Sequence, residues 1–199
     1  MEPFVRVSGI AAPMPGANID TDVIMPKQFL KGIDRTGLDH GLFHDLRFDG
    51  PTERPDFVLN RNGNREARFL IVGPNFGCGS SREHAVWGMM QFGIRALIGT
   101  SFAGIFQDNC GRNGLLALSL PADQVAALLD KAGGDGLAMT VDLERCRIEH
   151  EDGQIQFDIE PGLRRQLLDG QDAIGLTLGW RKEIADFQKR LHHAQPWLR

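Results

Sequence analysis

The chain has 199 residues, of which 42% are hydrophobic and 24% are charged, and its net charge is −4. This composition is typical of a globular protein with one core, and a negative chain without a basic stripe is not attracted to nucleic acid in general. No stretch is long enough to span a bilayer, and the N-terminus lacks the pattern of a signal peptide. We therefore expect a single cytoplasmic domain over residues 1–199, with no membrane contact.

The first part of the chain predicts one strand followed by turns and short helical pieces. Residues 4–11 alternate loosely between apolar and polar types and predict the strand. Asp20 and Asp22 lie in a segment of turn and cap formers, and two aspartates are too few oxygen ligands for a hard cation. Residues 27–38 predict a short helix that runs into a glycine-rich loop, where Arg35 could read a substrate.

Two apolar runs, at residues 56–60 and 68–72, flank Asn62-Gly63. An Asn-Gly pair between apolar runs is a hairpin signal, so the sequence predicts that these two runs pair as antiparallel strands.

The second part of the chain predicts alternating strands and helices. Further strands are expected at residues 94–98 and 115–120, and further helices at 85–92, 102–109 (capped by Thr100-Ser101) and 121–129. Such alternation predicts α/β layers with parallel strands. A β-meander and two helices are expected after it, with strands at residues 138–143, 145–150 and 154–159 and helices at 161–168 and 180–192.

The cysteines and histidines have no metal-binding pattern. Cys78, Cys110 and Cys146 are far apart and show neither C-x-x-C pairing nor the ligand spacing of a zinc or iron–sulfur site. His40 and His44 are four residues apart, but a glycine lies between them and a third ligand is missing. We expect reduced thiols and surface or locally bonded histidines.

The stretch Asn75–His84, with the sequence NFGCGSSREH, lies between the predicted strand 69–72 and the predicted helix 85–92. In open α/β sheets, ligands bind where strands end and helices begin, and helix N-termini suit carboxylates and phosphates. Arg82 adds a planar fork of donors that can hold a carboxylate with two bonds. The first hypothesis is a site for an acidic small molecule, with a serine placed to act on it.

Familiar motifs do not explain this stretch. A bulky Arg82 replaces the third glycine of the dinucleotide fingerprint, and the P-loop ending and the nucleophile-elbow spacing are both absent. One structural alternative remains at this point, in which Ser80 or Ser81 only caps the helix and Glu83 completes a capping box with Ser80.

The Asn75–His84 block resembles the Gly-Ser-Ser-Arg-Glu-His signature of the aconitase superfamily's swivelling domain. Other segments resemble, in order, bacterial 3-isopropylmalate dehydratase small subunits, and they begin at Asn18, Pro26, Arg35, Pro55, Ser101 and Asp172. The resemblance covers nearly the whole chain. It implies the α/β fold of an aconitase-type swivelling β/β/α domain, with a mostly parallel sheet flanked by helices and a C-terminal β-meander and helices.

The resemblance also implies a function. Members of this family take part in leucine biosynthesis and isomerise 2-isopropylmalate and 3-isopropylmalate by losing and re-adding water through 2-isopropylmaleate. The chain would be an enzyme subunit, active only with a large subunit that carries a [4Fe–4S] cluster, and it would hold no cofactor or metal itself. Its partners would be that large subunit and a small dicarboxylate substrate.

The family's site residues carry over to this sequence by the same resemblance. Ser80 would be the base, and Arg82 would hold a substrate carboxylate and stabilise the serine alkoxide. The residues that would contact substrate are Ser81, Gly79, Arg35, Phe29 and Leu30, the last three from the loop that distinguishes an isopropyl group from other substituents. Glu83 and His84 would orient the turn.

Two other functions stay open. Residues 107–113, Gly88 and the Met89-Met90 pair differ from the family pattern. These differences are compatible with the runner-up, a related hydro-lyase for citraconate, dimethylmaleate or another small 2-hydroxy diacid. A non-catalytic binding module is the other alternative, and an intact Ser80-Ser81-Arg82 argues against it.

Overall fold

The computed structural model describes residues 1–31 and 35–198. Its strands are β1 Arg6–Met14, β2 Phe48–Asp49, β3 Thr52–Glu53, β4 Phe69–Val72, β5 Ala96–Gly99, β6 Leu116–Ser119, β7 Leu137–Asp142, β8 Arg147–His150 and β9 Gly153–Gln156. Its α-helices are α1 Thr21–Ile24, α2 His44–Arg47, α3 His84–Phe92, α4 Gly104–Asn113, α5 Ala122–Ala132, α6 Pro161–Asp169, α7 Ala173–Gly179 and α8 Arg181–Ala194. Short 3₁₀ helices span Lys27–Leu30, Leu38–His40, Val58–Asn60, Asn62–Asn64 and Pro196–Leu198.

Seven of these strands form one sheet in the order β6-β5-β4-β1-β7-β8-β9. The run from β6 to β1 is parallel, whereas β7, β8 and β9 extend the sheet as an antiparallel meander. Every residue of β4 and β5 is buried, as expected for parallel strands that are covered by helices on both faces. The predicted fold class is confirmed.

The alternation of side chains along the strands divides the core between the two faces of the sheet. On β4, Leu70 and Val72 join the cluster that includes residues of α3 and α4. The intervening Phe69 and Ile71 join the opposite cluster, which includes residues of α5 and α6. The sheet is therefore a central layer whose carboxyl-terminal edge is left for loops.

The predicted hairpin around Asn62-Gly63 is wrong. β4 pairs in parallel with β1, and the earlier apolar run is a 3₁₀ helix instead of a strand. The reason is local polar bonding: the Asn60 amide is buried and donates to the carbonyl oxygens of Arg47, at 2.7 Å, and Arg54, at 2.8 Å. Side-chain bonds of this kind compete with a strand ladder.

Two smaller predictions also need correction. α4 begins at Gly104, and the Ser101 hydroxyl accepts from the Asn75 N–H at 2.9 Å, so it fastens two loops together where a helix cap was expected. The short helix predicted at the start of residues 27–38 is a 3₁₀ helix over Lys27–Leu30, and a second 3₁₀ helix begins at Leu38, whereas residues 32–34 lie outside the described residues.

Candidate active site

Two loops meet at the carboxyl-terminal edge of the sheet, one after β1 and one after β4. These strands are parallel neighbours, so their following loops start side by side. Backbone bonds then join the loops: the Gly77 N–H donates to the Ile19 carbonyl and the Thr21 N–H donates to the Cys78 carbonyl, each at 2.8 Å. The glycine-rich turn is thus held along its length by the segment that leads into α1.

Thr21 fixes the backbone of Ser80 from both sides. Its hydroxyl accepts from the Ser80 N–H at 3.0 Å and donates to the Ser80 carbonyl oxygen at 3.1 Å. Thr21 is buried, with 1% of its surface exposed, whereas Ser80 and Ser81 are exposed. The fold therefore holds the main chain of Ser80 firmly while leaving the residue open to solvent.

The capping explanation for Ser80 is wrong. α3 begins at His84 with Glu83 as its N-cap residue, and no side chain caps that end. The Glu83 carboxylate is used elsewhere, since its Oε1 accepts from Nδ2 of Asn113 at 2.6 Å. Ser80 lies too far before the helix to serve it, and its backbone is bonded to Thr21.

Glycine is required where the turn reverses direction. Gly77 has φ of 76°, and a Cβ added there would lie 2.2 Å from Cγ of Phe106. Gly79 has φ of 97° and lies against the side chain of Asp20. These two positions need a left-handed backbone, and Gly77 in addition leaves no space for a side chain.

Arg82 is held by an acidic residue of α1. Its Nη1 forms an ion pair with Oδ1 of Asp22, and only 17% of the Arg82 side chain is exposed. Asp20 caps α1 by accepting from the Val23 N–H at 2.8 Å. The two aspartates thus serve as a helix cap and an arginine partner, and the described residues contain no group of three or more His, Cys, Asp or Glu that could hold a metal ion.

The predicted substrate-loop residues lie on a different segment. Phe29 and Leu30 are half-buried against the core, and the rings of Phe29 and His44 are 4.9 Å apart. Arg35 is exposed, with its guanidinium carbon 4.2 Å from the centre of the Trp87 ring. The structure therefore groups Gly79, Ser80, Ser81 and Arg82 on one turn and places the other three outside it.

Sequence reasoning missed Thr21, Trp87 and the pairing role of Asp22. The Asp-Thr-Asp spacing was visible, but its partner lies 60 residues further along the chain. The signal that could have suggested the pair is an acid at the start of one helix and an arginine just before another, where the two helices follow neighbouring parallel strands.

The thiols differ in environment. Cys110 is fully buried, and burial raises the pKa of its thiol well above the usual value, so this cysteine is unreactive. Cys78 is half-buried inside the glycine turn.

Among the described helices, none is both long and apolar enough to cross a membrane.

Known proteins match this chain over its whole length. The Aconitase C-terminal domain family matches residues 1–123, and the family of C-terminal domains of the 3-isopropylmalate dehydratase small subunit matches residues 174–199. A 3-isopropylmalate dehydratase small subunit 1 from Mannheimia succiniciproducens is 51% identical over 202 residues, with 100% of both chains covered. The chain belongs to the 3-isopropylmalate dehydratase small-subunit family.

Two further members of this family also match the chain over nearly its whole length. A 3-isopropylmalate dehydratase small subunit 2 from Salmonella typhimurium is 53% identical, over 100% of this chain and 97% of the relative. The crystal structure of 3-isopropylmalate dehydratase from Methanocaldococcus jannaschii is 28% identical, with a TM-score of 0.68 over 92% of this chain and 99% of that chain. The family predicted from the sequence is confirmed.

Proposed function

We propose that this chain is the small subunit of 3-isopropylmalate dehydratase, a cytoplasmic hydro-lyase of leucine biosynthesis. It interconverts 2-isopropylmalate and 3-isopropylmalate through 2-isopropylmaleate by removing and re-adding water. The observation that carries the proposal is an exposed Ser80, fixed by Thr21 next to Arg82, in a chain about half identical to such subunits along its whole length. Residues 1–199 act as one unit.

Ser80 is the base in this proposal. It takes the proton from the substrate carbon, the electron pair of that C–H bond forms the double bond, and the neighbouring carbon releases hydroxide. The proton and the hydroxide together are the water that is lost, and the reverse steps return them at exchanged positions. A serine alkoxide needs positive charge and N–H donors close by. The backbone N–H of Arg82 donates to the Ser80 carbonyl at 2.9 Å, so the two residues share one tight turn. In this proposal the guanidinium of Arg82 supplies the positive charge.

Arg82 also binds a substrate carboxylate. A guanidinium has five N–H donors, and the pair with Asp22 uses Nη1. The remaining donors can take a carboxylate with two bonds, and the exposed Ser81 and Gly79 complete its surroundings. Phe29, Leu30 and Arg35 contact the rest of the substrate.

The residues of this chain do not fit an iron–sulfur cluster. Cluster iron is held by several cysteine thiolates, and the described residues offer no group of three or more metal ligands. We therefore assign the [4Fe–4S] cluster to the large subunit, where it supplies the Lewis acid for the departing hydroxyl. The chain is active only with that partner.

A related hydro-lyase activity, on citraconate, dimethylmaleate or another small 2-hydroxy diacid, is the second candidate. The test is to combine the chain with its large subunit under anaerobic conditions and to compare kcat/KM for three substrates. These are 3-isopropylmalate, the hydration product of citraconate and the hydration product of dimethylmaleate. We expect 3-isopropylmalate to be the best substrate. A higher kcat/KM for another diacid would replace the substrate assignment, and turnover by this chain alone without iron would contradict the two-subunit enzyme.

A further inference from the structure

The segment that carries Arg35 is fastened to α3 by the side chain of Gln91. The Gln91 amide nitrogen donates to the Arg35 carbonyl oxygen, and its amide oxygen accepts from the Leu38 N–H at 2.8 Å. One side chain therefore satisfies backbone groups at both ends of residues 35–38. A glutamine used in this way fixes the distance between the segment and the helix.

The Arg35 side chain lies over an aromatic ring of the same helix. Its guanidinium carbon is 4.2 Å from the centre of the Trp87 ring, within the range of a cation–π contact. Trp87 is only half-buried and Arg35 is exposed, so the contact lies at the surface. The indole thereby limits the directions in which an exposed, otherwise mobile arginine can point.

The Trp87 ring is held in place by a hydrogen bond to the last residue of α4. Its indole N–H donates to Oδ1 of Asn113 at 2.9 Å. The Asn113 amide in turn donates to the Glu83 carboxylate at 2.6 Å and to the Asn109 carbonyl at 2.8 Å. Glu83 directly follows Arg82, so one amide at the end of α4 connects the ring under Arg35 with the end of the serine turn.

Gly88 explains how the segment lies so close to the helix. A Cβ at this position would come 2.3 Å from Cε of Met25 and 3.2 Å from the Leu38 carbonyl oxygen. A larger residue would first displace the end of the Met25 side chain and would also press on the Leu38 carbonyl at the end of the segment. Gly88 thus lies within the same arrangement as Trp87, Gln91 and Leu38.

We propose that Trp87 and Gln91 form a latch that determines where the Arg35 guanidinium meets the substrate. Both are positioning residues that act through Arg35, and they set the KM for the dicarboxylate more than the rate of the chemical step. The inference rests on the proposed function, because it assigns Arg35 to substrate binding.

The first test uses the reconstituted two-subunit enzyme with 3-isopropylmalate. Trp87→Leu removes the ring and should raise KM about fivefold while kcat stays within about twofold, since an exposed cation–π contact changes affinity by about two- to fivefold. Trp87→Phe keeps a ring under Arg35 and should raise KM less. In an Arg35→Gln background, Trp87→Leu should add no further increase. An equal increase in that background, or a loss confined to kcat, would overturn the latch.

The second test needs no activity. Hydrogen exchange of the Leu38 amide in the full chain should be about tenfold faster in Gln91→Ala than in the wild type, because its acceptor is removed. Gln188→Ala, the same substitution on the exposed surface of α8, is the matched control and should leave Leu38 unchanged. Equal exchange in Gln91→Ala and the control would overturn the latch. Absence of wild-type turnover with 3-isopropylmalate would instead overturn the proposed function.

Discussion

The guanidinium of Arg82 and the carboxylate of Asp22 form an ion pair that joins the serine turn to α1. The arginine side chain is mostly buried, while the aspartate side chain is 48% exposed. An acid in this position orients the guanidinium before substrate is present, and it leaves part of the fork free. The arginine is therefore placed by the fold and does not depend on the substrate for its orientation.

Arg82→Lys should strongly reduce activity although the positive charge is kept. Lysine has no planar fork, so it cannot bind Asp22 and a substrate carboxylate with the same geometry. We expect kcat/KM for 3-isopropylmalate to fall by about 10- to 100-fold, as for the loss of a charged hydrogen bond. Arg65→Lys is the matched control, because Arg65 makes a two-bond pair with Glu53 outside the turn. Equal activity of the two variants would contradict the role of Arg82.

Thr21→Val should destabilise the turn without changing the size of the side chain. Valine leaves the Ser80 N–H without its partner and removes one of the two donors to the Ser80 carbonyl, the other being the Arg82 backbone N–H. The lost bonds cost about 1–3 kcal/mol of the free energy of unfolding. The free energy of unfolding is measured in urea and kcat is measured with 3-isopropylmalate, and both values should fall. Thr21→Ser keeps the hydroxyl and should retain most of both values. A valine variant as active as the serine variant would show that Thr21 does not hold Ser80.

Gly77→Ala should lower the free energy of unfolding far more than Gly37→Ala. The two glycines have nearly the same φ, 76° and 74°, so the backbone strain of about 1–2 kcal/mol is shared. Only at Gly77 does the new methyl group meet the Phe106 ring, whereas nothing lies within 4 Å at Gly37. Urea unfolding should therefore show a larger loss for Gly77→Ala by about 1–3 kcal/mol. Equal losses would mean that Phe106 moves aside at no cost.

Asp142 should make stability depend on pH in the acid range. Burial alone would raise the pKa of this carboxyl, but the backbone N–H and guanidinium of Arg145 outweigh it and lower the pKa. Because the pKa is lower in the folded than in the unfolded chain, the stabilisation is complete above about pH 4 and is lost as the pH falls through the folded value. Unfolding measured from pH 7 to pH 3 should show this loss, and Asp142→Asn should be less stable at pH 7 and show a flatter acid limb. Parallel curves for the two proteins would contradict the assignment.

The placement of the turn could be predicted from the sequence because it depends on local patterns. An apolar run, glycines and a second apolar run indicate strand, turn and helix, and parallel strands bring such turns to one edge. The partners of the turn could not be predicted in this way. Thr21 is 59 residues from Ser80, and their contact depends on the pairing of β1 with β4. The same long-range pairing overrode the local hairpin signal at Asn62-Gly63.

The role of a single residue could not be predicted from the sequence where its side chain has several possible partners. Ser80 and Glu83 have the spacing of a capping box, but the Glu83 carboxylate accepts from the Asn113 amide instead. The Ser80 backbone N–H donates to the Thr21 hydroxyl. Asp22 was expected to be a turn or cap former, yet it pairs with Arg82. In each case the competing partner comes from another loop or helix, so only the assembled sheet decides between them.

The most direct test of the account is the turnover of 3-isopropylmalate by Ser80→Ala in the reconstituted two-subunit enzyme. Alanine keeps both backbone bonds to Thr21, so folding and binding of the large subunit should match the wild type. Loss of the base should reduce kcat by at least about 100-fold, whereas Ser81→Ala, its neighbour in the same turn, should lose much less. Wild-type kcat in a folded, partner-bound Ser80→Ala enzyme would remove serine from the base role and contradict the account.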